Sequence, residues 1–274
     1  MSFSLKRVGC ITFVSSIFCL TACSDNSGEM ANSNSNGTLA STSSGTSTVN
    51  EARAISALQA RVDNLRVEAE RIRSSNDIKR LQRAFGFYFD EGLWDEMVDL
   101  FSDDASIEYA RDGVYMGKER IREYLYALGN GKQGLPEGEL NEHMQLMPII
   151  SLSEDGQSAK GRWRDIILKG QFSEWAWWGE GPFENEYVKE DGVWKISKLH
   201  WFQTIMVPYE GGWAQNADVN DGIYVSDTIP PDAPMSIEYD PWPETFLPPF
   251  HFPNPVEKFV PSPEFAAQLE EAAQ

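Results

Sequence analysis

The residue pattern predicts an α+β fold in which helices come first and an antiparallel sheet follows. Two observations carry this. From residue 51 to 128, apolar residues recur at three- and four-residue spacing between charged ones, the period of amphipathic helices. From His143 to Ile205 the pattern becomes long strand-like runs separated by Asp-Gly turns, as in hairpins. A third observation bounds the sheet. Of the 15 prolines, 12 lie from Pro208 onward, which excludes long regular elements there.

Taken in order, residues 50–74 predict a helix, with Ile55, Leu58, Val62 and Leu65 on one face. Ser75-Asn76-Asp77 supplies N-cap chemistry and starts a second helix carrying Ile78, Leu81, Phe85, Tyr88 and Phe89. Residues 93–101 form a short third helix. Strands are expected at 105–110 and 114–116 around Arg111-Asp112-Gly113, then a helix at 118–128. Strands at 143–152 and 158–168 pair across Glu154-Asp155-Gly156. Strands at 183–189 and 193–205 pair across Glu190-Asp191-Gly192. Residues 75–207 thus make up one domain. Residues 208–274 are Pro-rich but hold Trp213, Tyr224, Tyr239, Trp242, Phe246, Phe250 and Phe252. Disordered tails are poor in aromatics, so an ordered arm is expected, lying on its own domain or a neighbour's.

The start of the chain predicts its address. Lys6 and Arg7 precede a short apolar run, Val8 to Leu20, too short to span a bilayer. Residues 1–22 read as a signal peptide, and Leu20-Thr21-Ala22-Cys23 resembles the lipobox of bacterial lipoproteins. The resemblance implies acylation of Cys23 and, with Ser24 following, a place on the outer membrane facing the periplasm. Residues 23–49, nearly all Ser, Asn, Gly, Thr and Ala, are expected to form a disordered tether, having too little apolar area to repay ordering.

Composition narrows function. The formal net charge of -19 excludes nucleic-acid binding through phosphates and leaves membrane attachment to the lipid anchor. Cys10 and Cys19 fall inside the signal, so no internal disulfide or cysteine-based metal site is expected. No HExxH or Walker pattern occurs, and neither a metal nor any other cofactor is expected.

Three histidines exist: His143, His200 and His251. His143 opens a long strand and is the candidate acid or base, since imidazole titrates near neutrality. Asp90 beside Phe89 at a helix end would hold one imidazole nitrogen, or simply shape the turn. Arg162 and Arg164 share a strand face and would either bind an oxyanion in a pocket or neutralise acidic surface. Asn185 lies on the Phe183-Tyr187 face, with Glu184 and Glu186 opposite. His200 alternates with Trp194, Ile196 and Phe202. His251 is expected to pack within the arm. Trp175, Trp177 and Trp178 would serve either packing or ligand stacking.

With these residues the chain resembles SnoaL-like members of the nuclear transport factor 2-like superfamily. The segments that carry the resemblance are Phe89-Asp90-Glu91-Gly92-Leu93-Trp94-Asp95, Ile107-Glu108-Tyr109, Gly117-Lys118-Glu119-Arg120-Ile121 and the hairpin Tyr187 to Ile196, over about residues 75–205. The resemblance implies a cone: a curved sheet wrapped on helices, with a pocket at its wide end. The nearest catalytic pattern is of the scytalone dehydratase type. By that resemblance Asp90 orients His143 and Tyr109 holds a water. A second family tyrosine falls at Phe89, a second histidine in Arg162-Trp163-Arg164, and a pocket Asn and Ser near Phe183 and Gly181, where those types are not kept. The expectation is a cofactor-independent lyase on a small aromatic molecule, lignin-derived phenolics included, acting by dehydration, isomerisation or loss of a small aldehyde. Catalytic residues would be His143, Asp90 and Tyr109, and substrate-binding residues Tyr88, Arg162, Arg164, Asn185 and His200. The alternatives are a non-catalytic envelope module binding a hydrophobic ligand, or a structural lipoprotein. A homodimer or higher homo-oligomer is expected.

Overall fold

The computed structural model describes residues 43–215 and 225–253. The chain divides into two compact units, Met1–Ile55 and Ser56–Gln274. Of the first, only the start of one helix is described.

That helix, α1 (Ser43–Asp90), is a single 48-residue element. The expected break at Ser75-Asn76-Asp77 does not occur, and residues 43–49, assigned to the tether, are helical. Ser, Asn and Asp cost a helix interior only a few tenths of a kcal/mol each, and no Gly or Pro stands there. The continuous buried stripe Ser74, Ile78, Gln82, Phe85 and Phe89 outweighs that cost. After α1 come α2 (Trp94–Asp99), β1 (Phe101–Tyr109), β2 (Val114–Met116), α3 (Lys118–Leu128), β3 (Glu139–Leu152), β4 (Ser158–Gln171), β5 (Trp175–Glu190), β6 (Val193–Trp201), β7 (Ile205–Pro208) and α4 (Gly212–Gln215). The Gly- and Trp-rich residues 175–182, between the strands expected at 158–168 and 183–189, are the first half of β5.

The seven strands form one sheet in the order β2-β1-β6-β5-β4-β3, with β7 pairing β5. All pairs are antiparallel except β1 with β6. Register shifts in β3 between Leu146 and Ile149, and in β5 between Glu186 and Tyr187, are the irregularities that bend such sheets. One face, through Trp163, Ile167, Phe183, Tyr187 and Trp201, packs on Ile78, Phe85 and Phe89 of α1. Gly86 lets α1 lie close on β3: a Cβ there would meet Gln145 Cγ at 2.7 Å and the His143 carbonyl at 3.2 Å.

Residues 225–253 run over this same domain as an ordered segment. Val225 and Ser226 donate backbone N–H bonds to buried Asp112, and the Tyr115 hydroxyl donates to Ile229 O at 2.7 Å. Asp232 pairs with Arg120 at 2.9 Å, and Ser236 donates both its N–H and its hydroxyl to buried Glu108. The Gln203 N–H donates to Tyr239 Oη at 2.7 Å. Cys23 and most of the expected tether lie outside the described residues.

Candidate active site

The site is built where the C-terminal end of α1 meets the inner face of β3 and β4. His143 is buried, and its backbone N–H donates to Asp90 Oδ1 at 2.6 Å. Its ring stacks on Phe89, with centroids 4.0 Å apart and planes 12° from parallel. The imidazole Nδ1 lies 2.9 Å from Oδ2 of fully buried Asp165. His143 faces Ile167 across the strand pair, and Asp165 faces Gln145, so the two side chains meet diagonally on one sheet face.

Asp165 is held in turn. Gln145 Nε2 donates to its Oδ1 at 3.0 Å, and Gln82 Nε2 donates to Gln145 Oε1 at 2.8 Å. Gln82 Oε1 accepts from the Tyr187 hydroxyl at 2.8 Å and from Asn185 Nδ2 at 3.0 Å. Trp163 Nε1 completes the chain on Tyr187 Oη at 2.8 Å. When Asp165 Oδ2 accepts from Nδ1, the neutral ring has its lone pair on Nε2. Burial pushes the Asp165 carboxyl up, and His143 pulls it back.

Beside the imidazole is a cavity of about 50 Å³, with Phe89, Trp94, Tyr109 and Trp201 among its walls. His143, Asn141 and Lys169 also line it. Three buried polar atoms of lining residues have no partner among the described residues: His143 Nε2, Asn141 Oδ1 and Trp201 Nε1. Each unpaired buried polar atom costs about 1–3 kcal/mol, so three around one cavity mark a place shaped for a polar ligand. Burial pushes the Lys169 ammonium down, opposed by Glu139. Tyr109, stacked on Trp201 at 4.5 Å, has its phenol pushed well above the ordinary range by burial, so it remains a donor. Asp90 is pushed up to about 6, chiefly by burial, with the His143 amide opposing.

The geometry redistributes the expected roles. His143 and Tyr109 line one cavity. Asp90 touches the backbone of His143, not its ring; the ring partner is Asp165, which the sequence reading passed over. Tyr88, Arg162, Arg164, Asn185 and His200 do not line the cavity. Tyr88 is half-buried against the core. Asn185 is spent on Gln82 and on the His200 backbone N–H, at 3.0 Å each. Arg162 and Arg164 have the opposite strand parity to Trp163 and Asp165. They lie on the outer face, paired with Glu184 and Glu180. Arg162 also sits 4.3 Å over the Phe250 ring. His200 is buried on that outer face, 3.5 Å from Glu108 and stacked on Phe202 at 3.8 Å. Burial and Lys198 drive its pKa down to about 3, so it is neutral. His251 packs in the arm, as expected, and bonds Glu184 at 2.8 Å. Trp175 is exposed, Trp177 packs on the core and Trp178 stacks on Tyr209.

The missed residues did leave a signal. Trp163, Asp165, Ile167 and Lys169 alternate on one face of β4, so an acid and a lysine share parity with a large aromatic. Gln82 likewise interrupts the apolar stripe of α1.

Residues 70–200 match the model of the SnoaL-like domain. Among solved structures, the chain is similar to a provisionally named scytalone dehydratase from Novosphingobium aromaticivorans DSM 12444. They are 19% identical over 52% of this chain and 91% of that one, with a TM-score of 0.45. It is similar also to a type 2 hexachlorocyclohexane dehydrochlorinase (20% identity, 52% and 92% covered, TM-score 0.45). A third is a protein of unknown function from Mycobacterium tuberculosis (20%, 58% and 86%, TM-score 0.42). The likeness to the SnoaL-like domain is thus carried by residues 70–200, from the last turns of α1 to the end of β6.

Proposed function

We propose that this chain is a cofactor-independent lyase or isomerase of small aromatic molecules, in which His143 moves the proton. The observation that carries this is the His143–Asp165 pair, with the free Nε2 buried in a residue that lines an aromatic-walled cavity. In the forward step, Nε2 takes a proton from a substrate C–H bond. The C–H electron pair forms the new double bond, and the leaving group departs with its own bonding pair. The imidazolium that forms is stabilised by Asp165, and it returns its proton to the leaving group or, in an isomerisation, to another carbon. The Tyr109 hydroxyl and the Lys169 ammonium are the donors in the cavity for oxyanion charge that develops on the substrate. Loss of a small aldehyde would use the same parts: Nε2 takes a hydroxyl proton, the O–H pair forms the aldehyde C=O, the adjacent C–C bond breaks and its pair forms the new double bond, and the leaving group departs with its own pair and receives the proton from the imidazolium. In keeping with the Leu20-Thr21-Ala22-Cys23 motif, the enzyme would work in the cell envelope, tethered by Cys23.

The test is proton exchange. Small phenolic ketones, alcohols and diaryl compounds are incubated with the protein in deuterated buffer and followed by NMR. The expected result is turnover, or deuterium uptake at one carbon, lost in His143→Ala. Saturable binding of aromatics with no exchange or turnover would favour a binding module instead.

A further inference from the structure

Part of α1 carries an apolar stripe that its own domain does not cover. Leu58, Val62, Leu65 and Ile72 are 63%, 43%, 55% and 65% exposed, and Ile55 continues the spacing. With Ala69, positions 55, 58, 62, 65, 69 and 72 follow the alternating three- and four-residue steps of a coiled-coil seam. The stripe that packs on the sheet runs through Ser74, Ile78, Gln82, Phe85 and Phe89. At about 100° per residue, Ile72 lies roughly 120° around the helix from Ile78, so the seam is turned away from the sheet. The contact α1 makes with the domain at this level is polar: Arg71 donates to the carbonyls of Ser153 at 3.0 Å and Leu152 at 3.4 Å.

We propose that this seam pairs with the α1 of a second copy of the chain, antiparallel and about a two-fold axis. The seam is self-complementary in that arrangement. Setting Val62 against Leu65 of the partner subunit puts Leu58 against Ala69 of the partner subunit and Ile55 against Ile72 of the partner subunit. The flanking charges select the direction. Antiparallel pairing faces Arg61 with Glu68 of the partner subunit, twice by symmetry. Parallel pairing faces Arg61 with Arg66 of the partner subunit. Arg66 and Arg73 already pair within their own chain, with Asp63 and Glu70 at 3.2 Å each. Arg61 and Glu68 have no ion-pair partner among the described residues, and they are the two this assembly joins.

The test is sedimentation equilibrium on the full chain carrying Cys23→Ala, in reducing buffer, which removes lipidation at that position from the result. The expected mass at micromolar concentration is twice the chain's 30.9 kDa. Leu58→Glu with Leu65→Glu should return single chains, without loss of folded signal by circular dichroism, because both side chains are exposed. Arg61→Glu should weaken association about 10-fold, and adding Glu68→Arg should restore it. The proposal is overturned by single chains throughout, or by a dimer indifferent to the two leucine changes. It is equally overturned by tighter association in Arg61→Glu, or by seam variants that lose binding to anionic lipid vesicles while keeping their mass.

Discussion

Two acids meet His143 from different sides. Asp165 Oδ2 lies 2.9 Å from its ring Nδ1, and Asp90 Oδ1 lies 2.6 Å from its backbone nitrogen. The first contact sets the proton's place on the ring, and the second anchors the strand.

This division is separable by mutation. Asp165→Asn puts an amide against Nδ1 and disturbs the tautomer, so turnover should fall about 1,000-fold. His143→Ala should lose about 100- to 10,000-fold. Asp90→Asn should cost less than about 10-fold, because the ring keeps its partner. The double change of Asp165 and His143 should cost little more than His143→Ala alone. Steady-state rates on one substrate rank the three.

Asp90 also gives a pH signature. Its carboxyl titrates near 6 in the fold, against 3.8 ordinarily. Between those values the folded chain holds more protons than the unfolded one, so this group's contribution to stability declines as pH rises from about 4 through 6. Asp90→Asn removes that slope. Urea unfolding at closely spaced pH values should show wild type losing stability relative to Asp90→Asn across this window and running parallel above it.

His200 acts in the opposite sense. Its imidazole titrates near 3 in the fold, against 6.5 ordinarily. Below 6.5 the unfolded chain takes up a proton that the folded chain refuses, so stability falls as pH drops from 6.5 toward 3. His200→Gln should flatten this acid limb and leave activity within about threefold, since the residue is not on the cavity wall. Thermal melts in acid and a rate assay at neutral pH check both halves.

Lys169 is the cation of the cavity wall. Lys169→Met should reduce kcat/KM about 100-fold on substrates that develop an oxyanion. The melting temperature should hold or rise, because a partly desolvated ammonium is removed. An unchanged rate would take Lys169 out of the reaction.

The segment from 225 to 253 should stabilise the domain. Truncation after residue 224 exposes the outer face around Glu108 and strips Asp112 of two backbone donors. Each buried ring lost is worth about 2 kcal/mol, so the melting temperature should drop by several degrees. Differential scanning calorimetry of the truncated chain measures it.

The sequence by itself determined much of the local structure: the helical period through α1, α2 and α3, where the Asp-Gly hairpins turn, and that the paired strands belong to an α+β fold. These follow from periodicity and turn chemistry, which depend on neighbours along the chain. It also marked His143 and Tyr109, a titrating ring and a phenol in segments that resemble a known family. What only the tertiary structure decided was which side chain stands against the imidazole. Asp165 meets His143 across a strand pair 22 residues apart, and Lys169, four positions farther along β4, lines the cavity beside His143. Strand parity alone does not say which face turns inward, so Arg162 and Arg164 on the outer face were equal candidates until packing chose. Long-range packing also overrode local propensity in α1, where the buried stripe from Ser74 to Phe89 carries the helix through Ser75-Asn76-Asp77.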